Sequence, residues 1–150
     1  MKELKIFNSL RKKKENFVPI SKDKIGMFVC GPTVYDYPHI GNARPLVVFD
    51  VLYRLLKKIF GGNKVNYVRN ITDIDDKIIE SSKKNNKGIG ELTKTITTSF
   101  HEDCKYLNCL KPNFEPKATE HIKEMVGMVE NLIKNKHVFH FRKHVCFLLN

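Results

Sequence analysis

The chain has no apolar run near the ~20 residues that a bilayer-crossing helix needs. Met1-Lys2-Glu3 leads into a strand-like Leu4-Lys5-Ile6-Phe7 instead of a signal-peptide core, so no membrane association and a cytoplasmic address are expected. The four cysteines, Cys30, Cys104, Cys109 and Cys146, form no C-x-x-C pair and no regular framework. In a chain of 150 residues they are therefore expected to be reduced thiols. Internal repeats and low-complexity segments are absent, and 41% hydrophobic with 29% charged residues suits one compact domain. Arginine is scarce, five residues against twenty-two lysines, yet the net charge is +11. Such a surplus favours a polyanionic partner, because each phosphate neutralised releases counterion. The runs Arg11-Lys12-Lys13-Lys14 and Lys83-Lys84-Asn85-Asn86-Lys87 themselves read as solvated faces.

What is present concentrates at Cys30-Gly31-Pro32-Thr33-Val34-Tyr35-Asp36-Tyr37-Pro38-His39-Ile40-Gly41-Asn42, a thiol followed by a glycine- and proline-marked turn. Gly26-Met27-Phe28-Val29-Cys30 reads as a short buried strand, and Leu46 through Leu56 reads as an apolar-rich helix. Pro45 lacks an N–H and suits a helix's first turn, which points to Gly41 or Asn42 as N-cap. The turn thus lies at a strand-to-helix junction, where unpaired N–H groups and the positive dipole end attract an anion, phosphate above all. His39, just before the helix, either donates to a phosphate oxygen or braces its own turn.

Further along, strands are expected at about 4–7, 26–30 and 64–69, and helices at about 42–60, 74–84, 89–108 and 117–135. Gly61-Gly62-Asn63 stops the first helix. A strand, helix, strand order of this length implies a parallel pair, half of a doubly wound sheet. Ile122, Met125, Val126, Val129 and Ile133 form an apolar stripe expected to face a core. Thr72-Asp73-Ile74-Asp75-Asp76-Lys77 carries three carboxylates, which could suggest a divalent cation. Thr72 or Asp73 as N-cap, with the later aspartates at the positive end of the helix dipole, is the simpler expectation.

Pro32 through Asn42 resembles the HIGH region of class I aminoacyl-tRNA synthetases, and the lead-in Cys30-Gly31 resembles the cysteinyl-tRNA synthetase version. Tyr67-Val68-Arg69-Asn70-Ile71-Thr72-Asp73-Ile74-Asp75-Asp76-Lys77 looks like the family's next signature, and Leu110-Lys111-Pro112 through Glu115-Pro116-Lys117-Ala118-Thr119-Glu120-His121-Ile122 like a third. Asn42 stands where the motif's second histidine would be and still supplies a hydrogen-bond donor. The resemblance spans about residues 3–136 and implies an α/β fold, the first half of a Rossmann-like doubly wound parallel sheet. Residues 1–85 would be the N-terminal half of the nucleotide-binding catalytic domain, and 86–137 a helical segment leading into the connective insertion.

By the same resemblance, His39 and Asn42 are the catalytic candidates, and Pro32, Thr33, His39, Ile40, Gly41 and Asn42 would contact ATP. Cys30, Gly31, Thr33, Thr72 and Asp73 are the candidates for the amino-acid side. Taken alone, a cysteine ending a buried strand is a small core residue. The family instead uses the cysteine at this position as a Zn²⁺ ligand, completed by a cysteine, a histidine and a glutamate from later in the chain. Zinc prefers a thiolate to a hydroxyl, so coordination separates cysteine from serine where shape alone could not. The implied reaction consumes ATP with Mg²⁺, activates cysteine as an adenylate and transfers it to tRNA(Cys), in an enzyme expected to work as a monomer.

The lysine-serine KMSKS loop of the family is not in this chain, nor are the later zinc ligands. Val138 to Asn150 does not look like the family's continuation and reads as an atypical, out-of-frame tail. There His137, His140, His144 and Cys146 mimic a metal site, with a helical i, i+4 spacing at His140 and His144. Two other readings stand beside the ligase: a paralogue joining cysteine to an amino-sugar, and a non-catalytic nucleotide-binding or decayed fragment.

Overall fold

Apolar side chains alternate in β3 (Ile25–Val29) and β4 (Val65–Arg69), so each strand turns one side inward. The computed structural model describes residues 4–142 and 144–147 and pairs these strands parallel, Ile25 opposite Val65 through Val29 opposite Arg69. Between them runs α1 (Ile40–Phe60), which lays Tyr53 and Leu56 on Ile25, Met27, Val29, Val65 and Tyr67. Full burial of each large apolar side chain contributes roughly 2 kcal/mol. The order β3, α1, β4 with parallel pairing is the expected α/β half-sheet.

A third run extends the sheet. Residues 113–118 follow β4 on its other edge: Arg69 N–H donates to the Phe114 carbonyl at 3.1 Å and Ile71 N–H to that of Pro116 at 2.9 Å. In return, Ala118 N–H donates to the Ile71 carbonyl at 3.0 Å. A second core lies beyond the strand ends, where α2 (Asp76–Asn85) and α3 (Ile89–Tyr106) bring Ile78, Leu92, Ile96, Phe100 and Cys104 around Val34 and Ile71.

The buried Arg69, 3% exposed, ties the two cores together. Its Nε and Nη2 donate to one Glu115 oxygen at 3.0 and 2.6 Å, and its guanidinium lies 4.8 Å from the centre of the Phe100 ring. His101 Nε2 meets the other Glu115 oxygen at 2.5 Å. Burial opposes the charge on Arg69, but the hydrogen-bonded Glu115 carboxylate outweighs it and holds the guanidinium above its usual pKa.

Several elements depart from the sequence expectation. The basic run after β1 (Lys5–Asn8) is half strand: Lys12 turns at φ 53°, and β2 (Lys13–Asn16) pairs back antiparallel, with Glu15 bonded to Asn8 and Arg11. Helix α1 starts earlier than expected, capped by His39 and not by Gly41 or Asn42, because the His39 imidazole folds back onto the Gly41 amide. Pro45 therefore sits inside the helix, beyond its first turn. Helix α2 is capped by Asp75, whose carboxylate takes the Lys77 N–H at 2.9 Å, and not by Thr72 or Asp73, because residues 71–72 still pair with the sheet.

The stripe on α4 (Ile122–Lys134) was expected to face a core and does not: Ile122, Met125, Val126 and Val129 are all exposed. That helix packs mainly on the short Ala118–His121 turn before it and on β5 (Val138–Phe141), and of the stripe Ile133 is partly buried. Instead of a helical spacing, His140 and His144 fall on separate strands, β5 and β6 (His144–Phe147), of an antiparallel hairpin turning at Arg142. The i, i+4 metal pair therefore does not form.

Replacing Glu115 with alanine leaves the buried Arg69 charge without its carboxylate and is expected to cost about 3 kcal/mol. Urea unfolding of the chain and its Glu115→Ala variant measures this, and an unchanged midpoint would remove the ion pair from the list of stabilising contacts.

Candidate functional site

The turn that leaves β3 is built by the end of β4. Thr72 N–H donates to the Pro32 carbonyl at 3.0 Å and Val34 N–H to that of Thr72 at 3.1 Å, so Thr33 and Thr72 continue the parallel register past both strands. Val34, fully buried, anchors this turn in the second core. Between strand and turn, the Gly31 N–H donates to the Asn70 side-chain oxygen at 3.0 Å. A Cβ on Gly31 would stand 1.6 Å from the Asn70 backbone oxygen, so only glycine lets the two turns approach this closely.

Cys30 continues the alternation of β3 outward and is exposed, which overturns its reading as a core residue. By contrast Cys104 is buried, and burial pushes its thiol pKa up. All four cysteines are free thiols. Cys30 lines a small cavity of about 80 Å³ with Gly31, Pro32, Asn42 and Phe100 among its neighbours. A larger cavity of about 280 Å³ adjoins through Gly31, Pro32 and Asn42, and it is lined also by Thr33, Tyr35, Tyr37, His39 and Ile96. Thiol and histidine turn thus stand on either side of Asn42.

At the His39 turn, the imidazole Nδ1 accepts the Gly41 N–H at 3.0 Å, and the Asn42 side-chain oxygen accepts the His39 N–H at 3.0 Å. A Cβ on Gly41 would lie 2.9 Å from Nδ1, so glycine keeps room for the folded ring. An Nδ1 that accepts carries no proton, which places the proton of the neutral ring on Nε2. That Nε2–H and the Asn42 side-chain NH₂ have no partner among the described residues and are donors left for a ligand. Both readings of His39 are therefore compatible: one ring nitrogen braces the turn and the other faces outward. The helix behind them begins with no acidic residue in its first turn, so nothing cancels the positive end of its dipole.

The structure brings Cys30, Gly31, Pro32, Thr33, His39 and Asn42 together, with Ile40 and Gly41 exposed in the first turn of α1. Thr72 is joined to this group through the backbone, and its hydroxyl accepts from the Asn70 side-chain NH₂ at 3.2 Å. Asp73 is not brought in. Its carboxylate holds Thr119, accepting from the N–H at 3.0 Å and the hydroxyl at 2.6 Å. Asp75 caps α2, so the aspartate run serves local structure, and among the described residues no group of three or more His, Cys, Asp or Glu could hold a metal. Sequence reasoning passed over Asn70, whose partner lies 39 residues away and leaves no local pattern.

A Gly31→Ala change drives a methyl group into the Asn70 carbonyl and is expected to cost about 3 kcal/mol through forced backbone movement. Chemical unfolding tests it, and wild-type stability would mean that the two turns are not locked.

With this geometry in place, comparison with known proteins is direct. The family described as tRNA synthetases class I (C) catalytic domain matches residues 16–149, a span that includes most of the segment expected to depart from it. A cysteine–tRNA ligase of Pelagibacter ubique (strain HTCC1062) is 53% identical over 146 residues, covering 97% of this chain and 32% of that protein. One from Wolbachia pipientis subsp. Culex pipiens (strain wPip) is 54% identical over 144 residues, 96% of this chain and 31% of the relative. Another, of Bartonella tribocorum (strain CIP 105476 / IBS 506), is 46% identical over 156 aligned positions, with 100% and 31% covered. The chain spans about a third of the length of these relatives. With a family match over most of its length, the chain belongs to the class I (C) tRNA synthetase catalytic domain family.

Proposed function

We propose that these residues carry the ATP- and cysteine-facing half of a cysteine–tRNA ligase, which activates cysteine with ATP and passes it to tRNA(Cys). The observation that carries the reading is the meeting of an exposed strand-end thiol, Cys30, with the unpartnered donors of His39 and Asn42 across adjoining cavities. In this reading residues 1–85 are the first half of the catalytic domain and residues 86–137 lead toward its insertion.

The cysteine carboxylate attacks the α-phosphorus of ATP, a bond to pyrophosphate breaks, and the cysteinyl adenylate forms. A terminal ribose hydroxyl of the tRNA then loses its proton and attacks the acyl carbon, the acyl–phosphate bond breaks, and AMP leaves. Charge builds on phosphate oxygens, so the protein's work is to position and to donate hydrogen bonds. His39 Nε2–H and the Asn42 NH₂ supply donors at the positive end of α1, and Pro32, Thr33, Ile40 and Gly41 shape the wall. Gly31, Thr33 and Thr72 border the amino-acid side, whereas Asp73 is turned to Thr119.

An exposed thiol fits one corner of a zinc site, so Cys30 would serve as a single ligand, with the others coming from chain outside these 150 residues. Zinc, when bound, supplies a soft Lewis acid that prefers the substrate's thiolate to a hydroxyl. Mg²⁺ would enter with ATP. The net charge of +11 suits an RNA partner, and among the described residues no helix is long and apolar enough to cross a membrane. A monomer working in the cytoplasm completes the reading.

Cysteine-dependent ATP–pyrophosphate exchange by a full-length protein bearing this sequence tests the activity itself. There His39→Ala is expected to slow exchange about 100-fold, the usual effect of losing one charge-stabilising donor, with cysteine KM little changed. An unaltered rate would remove His39 from the phosphate side. Cys30→Ser is expected to lose bound zinc and the preference for cysteine over serine together, as metal analysis beside exchange with each amino acid would show. Full zinc occupancy with wild-type selectivity would leave Cys30 without that role.

A further inference from the structure

We propose that Asn70 is a positioning residue for Cys30. The inference rests on Cys30 being the substrate-side ligand, and it concerns how the chain aims that thiol. An exposed cysteine just past the end of a strand has no packing of its own to fix its direction. The next peptide group, by contrast, is held. The Gly31 N–H can only donate, so the Asn70 atom 3.0 Å away must be its oxygen. This leaves the Asn70 NH₂ to donate to the Thr72 hydroxyl at 3.2 Å, and a flipped amide would lose the Gly31 bond.

One side chain therefore joins the peptide that leaves Cys30 to the hydroxyl that stands opposite Thr33. Backbone bonds from Thr72 to Pro32 and from Val34 to Thr72 close the rest of this ring, but they begin two residues downstream of Cys30. Of these bonds, the one to the Asn70 carboxamide is nearest to Cys30 along the chain. The Asn70 backbone is held in turn: β4 ends at Arg69, locked by Glu115, and both the N–H and the carbonyl of Ile71 are bonded to the 113–118 run, at Pro116 and Ala118. The thiol, turned outward by the alternation of β3, is thus held in that direction by Asn70, just past the end of β4.

The test separates positioning from mere stability by comparing two substitutions. Asn70→Asp keeps an acceptor for Gly31 and loses the donor to Thr72, whereas Asn70→Ala loses both. In the 150-residue chain, Asn70→Ala is expected to speed exchange of the Gly31 amide hydrogen about tenfold or more, and to change the rate of Cys30 alkylation by iodoacetamide severalfold. Asn70→Asp is expected to stay near wild type in both. In a full-length ligase bearing this sequence, Asn70→Ala raises cysteine KM about tenfold while ATP KM moves little. Unchanged Gly31 exchange and Cys30 alkylation in Asn70→Ala would overturn the inference and leave the ligase reading standing. Equal effects of Asp and Ala would also overturn it. A full-length protein with Asn70 intact that shows no cysteine-dependent exchange would instead overturn the ligase reading, so the two failures are distinguishable.

Discussion

Strand β4 is the one element hydrogen-bonded along both edges, to β3 on one side and to residues 113–118 on the other, and the rest of the described structure is arranged by it. Its inward residues Val65 and Tyr67 complete the core under α1, and its last residue, Arg69, reaches the second core. A strand paired on both sides cannot shift register without breaking two ladders at once. That rigidity is passed to the turn after β3 by three bonds from Asn70 and Thr72 and their neighbours. The candidate site is therefore held from β4, although most of its side chains lie between β3 and α1.

The same sheet is covered on one face only. Phe28 is 65% exposed on the outer side of β3, and Phe114 lies exposed beside β4. Parallel sheets are ordinarily covered on both faces. The exposed stripe of α4 is a second bare surface, and the relatives that match this chain are about three times as long as the part aligned. Uncovered apolar area of this kind contributes nothing to stability until something packs on it. The described residues thus hold a complete junction within an incompletely covered sheet.

Charge is placed with similar asymmetry. Most of the lysine surplus sits on exposed surfaces, where ion pairs contribute little. One arginine is taken inside, and there both its charge and its plane are used, against Glu115 and against Phe100. Replacing it with lysine would keep a charge but lose the paired N–H geometry and the stacking face. The site itself holds no buried cation; it offers the His39 and Asn42 side-chain donors at a helix end, beside the Asp36 side chain.

Periodicity and punctuation in the sequence were enough to determine β3, α1, β4 and α3, the parallel pairing and the strand-to-helix turn with Cys30 and His39, while the family was legible only through the resemblance of three motif blocks. These depend on which residues share a face and where glycine or proline interrupts, and both are local properties. Tertiary structure alone decided that His39 and not Asn42 caps α1, since a cap is chosen by which side chain can fold back onto a free N–H. It alone showed that Cys30 is exposed, that Asp73 is turned to Thr119, and that most of the stripe on α4 is exposed. A pattern reports that a face is apolar but not what covers it. The Gly31–Asn70 bond spans 39 residues, and no local signal encodes a contact that exists only once two strands have paired.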